Sequence, residues 1–169
     1  VAFLSGLRTT APDMEYTADN YYDETNLMDG YVLSTLGIVE EDLAALSAAP
    51  GIQAVEGGYN VDAVAEDSIV IVRSVPEDIN LLTVEEGRLP ERPDECVTEE
   101  LLLIDLGLSI GDTLSIVPGE DNADALDRQA YTVVGTVKSP LYVSTDRGTS
   151  SLGTGSVSAY VYIPAENFT

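Results

Sequence analysis

Short apolar runs rich in β-branched residues recur along the chain and predict a domain with many strands. The clearest run covers residues 68–75, where Ile and Val alternate between polar ends. Residues 52–64 are predicted to be extended, and residues 76–86 to form a loop. Further strands are predicted at residues 31–35, around Cys96, and at residues 110–117, 130–137 and 157–163.

Apolar residues at helical spacing predict few helices among these strands. The second predicted helix has an acidic first turn, but the residue before it is Val39, at a position where a polar cap is usual. The third is predicted to be capped by Thr98 and ended by Gly107. The three predicted helices cover residues 12–22, 40–48 and 99–106.

Few helices among many strands, in no regular alternation, indicate an α+β domain with a mixed, mostly antiparallel sheet. The length of 169 residues suits a single domain, 1–169, with room for two lobes. Hydrophobic residues make up 44% of the chain, enough to supply a core.

The charge balance excludes one class of partner. Thirty acidic residues stand against seven basic ones, for a formal net charge of -23, so the chain should repel phosphate backbones and bind no nucleic acid. The scarcity of Lys is typical of the outer side of a membrane. The acid is interpreted as a solvated surface that keeps the domain soluble, with a cation-binding or cationic-substrate surface as the alternative.

The residues that usually carry catalysis are scarce, and we predict that the chain is not an enzyme and uses no cofactor and no metal. It contains no His, a single Lys at position 138 and a single Cys, Cys96, which is predicted to be a small core residue. It also lacks a phosphate-binding loop, so we expect no ATP binding by this chain. A carboxylate-based hydrolase stays open as the enzymatic alternative, because thirty acids single out no pair.

Three local patterns have a functional and a plain interpretation. The acidic segment 121–127 lacks the Gly of an EF-hand loop and is interpreted as solvated. Asn167-Phe168-Thr169 matches a glycosylation acceptor, a motif that is common by chance. The Gly-, Ser- and Thr-rich segment 144–156 is either a flexible connection or a clamp for a ligand or partner.

The first eight residues are unusually apolar for a chain terminus. No run in the chain approaches the length of a membrane span, but residues 1–8 are interpreted as the stub of a preceding membrane helix. We therefore expect Phe3 and Leu4 to project outward and Arg8 to lie near the membrane surface.

Three stretches, taken in order, resemble the extracellular domains of MacB/FtsX-like ABC transporter permeases. Residues 10–29 resemble the segment after the first membrane helix, and residues 34–52 are similar to the strand–helix–strand unit with which those domains begin. Glu86-Gly87-Arg88-Leu89-Pro90, Ile110-Gly111-Asp112-Thr113 and the run from Val133 to Pro140 then follow the order and spacing of the family. The signature positions, interpreted as structural, are Gly87, Arg88, Pro90, Gly111, Asp112, Gly135, Ser139 and Pro140.

The resemblance implies a fold of the MacB-like periplasmic core type. It places the domain on the extracellular face of the bacterial cell membrane, tethered between the first two membrane helices of a permease. It implies a cytoplasmic ATPase subunit or domain, a second permease copy and room for an extracellular protein partner. The implied role is mechanical: ATP-driven motion of the membrane helices would serve export or release of a substrate, or control of an outer-surface partner. The alternative is a free-standing cell-surface binding or adhesion module without flanking membrane helices.

Overall fold

Seven β-strands and three α-helices make up the part of the chain that this computed structural model describes, residues 14–34, 37–144 and 147–169. The strands are β1 Asn60–Ala65, β2 Ser68–Ser74, β3 Thr83–Gly87, β4 Glu95–Thr98, β5 Thr113–Pro118, β6 Ala130–Lys138 and β7 Ala159–Ile163. The helices are α1 over residues 14–24, α2 Glu40–Ser47 and α3 Glu100–Leu106, with short 3-10 turns at Glu120–Asn122, Pro140–Tyr142 and Ala165–Asn167. The predicted α+β class is confirmed.

The strands form one mixed sheet that closes on itself. Their order is β3-β6-β4-β7-β2-β1-β5, and β5 pairs again with β6, which joins six strands into a ring and leaves β3 attached outside it. The pairs β2–β7 and β4–β6 are parallel, whereas the remaining pairs are antiparallel. Closure leaves few free edges, which protects a sheet from unwanted pairing.

Two hydrophobic clusters lie on opposite faces of the strands. Because side chains alternate along a strand, Val161 of β7 points into the larger cluster while its neighbours Tyr160 and Tyr162 point into the smaller one. Cys96 is fully buried in the larger cluster, as predicted, and this burial raises the pKa of its thiol to about 12. The thiol is therefore protonated and unreactive at neutral pH.

The segment before β1 packs loosely. Thr25 is the only buried residue in the described part of 14–59. The end of α1 is nevertheless tied to the chain ahead of β3, because the Leu81 amide donates to the Thr25 carbonyl at 2.7 Å. The predicted stub, residues 1–8, lies outside the described residues, as do Phe3, Leu4 and Arg8.

Two strand predictions are wrong for the same physical reason. Residues 31–34 have a strand-like sequence but form an exposed coil that pairs with no strand in the described chain. Conversely, four of the five residues of β3 lie in the predicted loop 76–86 and all five are exposed, yet this strand pairs with β6. Strand formation depends on a distant partner that local composition does not encode.

Two of the three predictions about helix ends agree with the structure, and the third is wrong. Gly107 ends α3 with φ +68, which glycine adopts readily, and Val39 provides no side-chain cap for α2. Thr98 does not cap α3, because it belongs to β4 and its hydroxyl donates to the Tyr160 carbonyl at 2.6 Å. The cap position of α3 is Glu99.

Candidate functional site

Two signature glycines mark the point where β3 and β6 come closest. Gly87 and Gly135 are partners in the register of these strands. A Cβ on Gly87 would lie 2.2 Å from the Val134 carbonyl oxygen, and one on Gly135 would lie 2.6 Å from the Glu86 carbonyl oxygen. Only glycine at both positions permits this approach without moving backbone.

The signature residue Arg88 holds a buried carboxylate. The Glu95 side chain is fully buried at the start of β4 and receives two hydrogen bonds from the Arg88 guanidinium, at 2.6 and 2.7 Å. It also accepts from the Arg92 Nε at 2.8 Å and from the Glu91 amide at 2.9 Å. The Arg88 hydrogen bonds hold the pKa of Glu95 well below its usual range, although burial alone would raise it.

The loop from 88 to 95, which contains the half-buried Pro90, is therefore wrapped around one carboxylate. This arrangement is structural, because every oxygen of Glu95 is occupied by groups of the same loop.

The remaining signature residues also lie against β6. Gly111 has φ +101 and its amide donates to the Val133 carbonyl at 2.8 Å, while the Asp112 carboxylate accepts from the Ser109 amide at 2.9 Å. At the other end of β6, the Ser139 hydroxyl accepts from the Tyr162 hydroxyl at 2.8 Å, and Pro140 is buried at the start of a 3-10 turn. Seven of the eight signature positions thus lie in β6, directly after it, or paired or hydrogen-bonded with it, whereas Pro90 lies in the loop between Arg88 and Glu95.

A groove lined by varied side chains opens beside the end of β6. It is a groove of about 430 Å³ bounded by α1, the end of β6, the start of α3 and the segment after Ser139. Its lining combines aromatic, aliphatic and charged side chains from Tyr21, Glu85, Glu99, Glu100, Leu101, Val137, Lys138, Ser139, Tyr142, Val143, Arg147 and Tyr160.

Aromatic stacking and one ion pair hold the floor of this groove in place. The rings of Tyr142 and Tyr160 stack with centroids 4.7 Å apart, and the Arg147 guanidinium lies 5.7 Å from the Tyr160 ring centroid. Arg147 donates to both carboxylate oxygens of Glu99, at 2.5 and 3.2 Å, and both side chains are largely buried. Burial, with a further contribution from the Glu99 charge, raises the pKa of Tyr160 to about 12.

The ion pair between Arg147 and Glu99 thus attaches one end of the segment 144–156 to the cap position of α3. This ion pair and the tyrosine stack were not predicted from the sequence, because their members come from three separate stretches of the chain, one with Glu99, one with both Tyr142 and Arg147, and one with Tyr160. The segment closes on itself further along, through a bridge between Thr149 and Ser156.

Each basic residue in the described part of the chain is already engaged within the domain. Ion pairs join Arg88 and Arg92 to Glu95, Lys138 to Glu85 and Arg147 to Glu99, whereas Arg73 donates to Tyr142 and Arg128 to Asn167. Most of the acidic residues within the described ranges form no ion pair, so the surface carries an excess of negative charge.

The cation-binding alternative finds no cluster of ligands. A polar cleft of about 250 Å³ is lined by Asp62 and Asp121 together with Asn60 and Asn122, but Asp62 already accepts from the Ser150 hydroxyl at 2.6 Å. Within residues 14–34, 37–144 and 147–169, no group of three or more His, Cys, Asp or Glu side chains is arranged to hold a metal ion. The acidic residues at 120–124 are exposed.

Added salt should stabilise the domain. Self-repulsion at a net charge of -23 is screened as ionic strength rises, so the melting temperature should increase by several degrees between about 20 and 200 mM sodium chloride. Circular dichroism melts measure this. A flat or falling curve would contradict the prediction, and a rise in calcium chloride far above that at matched ionic strength would favour the cation-binding alternative.

The glycosylation motif is inaccessible in the folded domain. Asn167 is 1% exposed, its amide nitrogen donates to the carbonyls of Pro93 at 3.0 Å and Pro164 at 3.2 Å, and its oxygen accepts from Arg128. A sugar cannot be attached to this nitrogen without breaking these contacts.

Asn167→Asp should therefore destabilise the domain by about 2 kcal/mol, because two donors are lost and a carboxylate faces two carbonyl oxygens. Urea unfolding followed by circular dichroism measures the change. Asn122→Asp, at an exposed position, is the matched control and should change stability by less than about 0.5 kcal/mol. Equal effects of the two substitutions would refute the structural role of Asn167.

Comparison with known proteins identifies two solved structures of interest. The extracellular domain of the noncanonic ABC-type transporter YknZ from Gram-positive bacteria is 14% identical, with a TM-score of 0.43 over 79% of this chain and 65% of that one. A domain assigned to a permease protein from Porphyromonas gingivalis is 15% identical, with a TM-score of 0.35 over 69% of this chain and 54% of that one.

The chain spans less than two thirds of either solved domain. No family model matches the sequence, and no curated protein matches it. In the described part of the chain, none of the helices has the length and apolar character needed to cross a membrane.

Proposed function

We propose that this chain is the extracellular domain of a MacB/FtsX-like ABC transporter permease, with a fold of the MacB-like periplasmic core type. The observation that carries the proposal is the joint order of the eight signature positions. Each is interpreted from sequence as a turn, cap or strand start, and all but Pro90 lie in β6, directly after it, or paired or hydrogen-bonded with it. Residues that set turns, caps and strand starts indicate family membership but do not indicate a reaction. The proposal therefore includes no catalytic site and no cofactor.

The proposed role is to pass ATP-driven motion of membrane helices to the outer surface. Two features support it. The ring of six strands would move as one body, since closure joins every strand to two neighbours. The end of α1, the helix nearest the proposed membrane attachment, is hydrogen-bonded to the chain ahead of β3, where the Asn26 side chain donates to the Asp78 carbonyl at 2.6 Å.

The proposed partners follow from the same assignment. They are a cytoplasmic ATPase subunit or domain, a second permease copy and an extracellular protein, with the domain tethered on the extracellular face of the bacterial cell membrane by flanking membrane helices. This assembly would act on a transported substrate or would control the extracellular partner. No role with nucleic acid is proposed, because the excess of acid repels it.

The carboxylate-based hydrolase receives no support from the groove. Such an enzyme needs two acids that face each other across a substrate. Of the three carboxylates described in the groove, Glu99 is bound to Arg147 and Glu85 to Lys138, which leaves only Glu100 without an ion pair and no second free acid to face it.

The coding sequence on either side of Val1 and Thr169 tests the proposal directly. A membrane helix should precede Val1 and further membrane helices should follow Thr169. The full-length protein, purified from membranes, should contain two copies of the permease together with an ATPase subunit or domain. Flanking sequence without membrane helices would contradict the proposal and favour the free-standing adhesion module.

A further inference from the structure

One face of α3 carries large aliphatic side chains that the described part of the chain leaves exposed. Leu102 and Leu103 are buried in the larger hydrophobic cluster, whereas Leu101 and Ile104 are 54% and 65% exposed. These two are three residues apart and therefore lie on the same side of the helix. Val143, which is 66% exposed, lies with Leu101 at the lip of the groove. We call Leu101, Ile104 and Val143 the α3 patch.

Among the residues that the structure describes, the surroundings of the α3 patch are acidic, and both nearby cations are already paired. Glu100 and Asp105 are exposed neighbours of the patch residues, and neither forms an ion pair in the described part of the chain. The two cations of the adjacent groove, Lys138 and Arg147, are already bound to Glu85 and Glu99. An acidic partner would meet no unpaired cation among these described residues, whereas a basic partner would meet two carboxylates that form no ion pair.

Exposed aliphatic clusters rimmed by charge are typical of surfaces that bind another protein. We propose that the α3 patch docks a cationic, amphipathic segment of a different protein. Its aliphatic side chains cover Leu101, Ile104 and Val143, while its Lys or Arg side chains pair with Glu100 and Asp105. This inference concerns the kind of partner and the surface it uses, and it holds equally for a permease domain and for a free-standing module.

Charge argues against the two other occupants of such a patch. A second copy of this chain also carries a net charge of -23, and a twofold contact through α3 would place the carboxylates of Glu100 and Asp105 beside those of the partner copy. An anionic membrane surface is repelled in the same way. A basic protein segment is favoured by both the apolar and the electrostatic features of the site.

The probe for this proposal is a fluorescently labelled synthetic helix made of Leu and Lys at amphipathic spacing. Fluorescence anisotropy with the 169-residue chain in about 150 mM sodium chloride should show saturable binding. The double substitution Leu101→Gln and Ile104→Gln should weaken binding at least about tenfold, since central apolar anchors dominate such interfaces. Glu100→Gln with Asp105→Asn should weaken it about threefold to tenfold, since each loses a charge pair.

Val117→Gln is the matched control, because Val117 is an aliphatic residue 46% exposed on β5, outside the patch. Its binding should equal that of the unchanged chain, and the melts of all variants should show that they fold. A helix of Leu and Glu should not bind.

Three outcomes would overturn the proposal. Equal binding by the Leu101→Gln, Ile104→Gln variant would mean diffuse attraction to an acidic surface. A dimer in sedimentation velocity that disappears in the same variant would identify the patch as a contact between copies of this chain. Flotation with phosphatidylglycerol vesicles that depends on the patch would identify a membrane surface. None of these outcomes decides whether membrane helices flank the domain, so the proposed function stands or falls separately.

Discussion

Gly87→Ala should destabilise the domain by about 2 to 5 kcal/mol. Alanine at φ +77 costs about 1 to 2 kcal/mol in backbone strain. Its Cβ would also lie 2.2 Å from the Val134 carbonyl oxygen and 2.7 Å from the Gly135 Cα. Relieving that overlap requires β3 and β6 to separate, which adds about 1 to 3 kcal/mol. The free energy of unfolding from urea titrations measures the sum.

Gly107→Ala is a control that isolates the strain. Gly107 has a similar φ of +68, but a Cβ there would meet nothing within 4 Å. Its cost should be about 1 to 2 kcal/mol. If the two substitutions cost the same within about 0.5 kcal/mol, the close approach of β3 and β6 contributes nothing and the role assigned to Gly87 is wrong.

The parts of the fold that sequence could predict are those with a local signal. Ser68–Ser74 and Ala130–Lys138 form strands because runs of β-branched residues favour extended backbone on both faces of a sheet. Gly107 could be predicted because few other residues end a helix in the left-handed conformation. Both signals depend only on neighbours in the chain.

The failures depend on distant contacts. Thr83–Gly87 has little apolar character, and pairing with β6 alone makes it a strand. Residues 31–34 have the composition of a strand, but the described chain provides no partner for them. Ring closure through β5 and β6 likewise has no signature in composition, because it joins segments by backbone hydrogen bonds that any side chains permit.

Sequence could predict the buried ion pair of the candidate site but not the groove. The signature motif pointed to Arg88, and a carboxylate directly before the apolar pair Cys96-Val97 was a signal that Glu95 would be buried with a partner. The groove gave no such signal. Tyr160 faces it because of the alternation of β7, and Arg147 reaches it from a segment that composition alone describes as a flexible connection.

Glu95→Gln should destabilise the domain by about 2 to 3 kcal/mol at neutral pH. Breaking a buried ion pair costs about 3 to 5 kcal/mol when the remaining charge stays buried. Here the expected cost is lower, because the side chains of Arg88 and Arg92 are 43% and 64% exposed and water can hydrate them once the carboxylate is gone. Urea unfolding at pH 7 measures the difference, and Glu120→Gln, at an exposed position, should change stability by less than about 0.5 kcal/mol.

The cost of Glu95→Gln should also depend on pH in a defined direction. The folded state holds the pKa of Glu95 far below that of an unfolded Glu, about 4.3. The carboxylate therefore contributes its full stability above that pH and loses it as the pH falls toward the folded value. Between about pH 7 and pH 5 the difference in unfolding free energy between the unchanged chain and the Glu95→Gln variant should be constant, and below about pH 4 it should shrink. Using this difference cancels the changing self-repulsion of the other acids, which both chains share. A difference that stays constant down to about pH 3 would mean that the charge on Glu95 contributes nothing, and that the loop from Arg88 to Glu95 is held by its backbone alone.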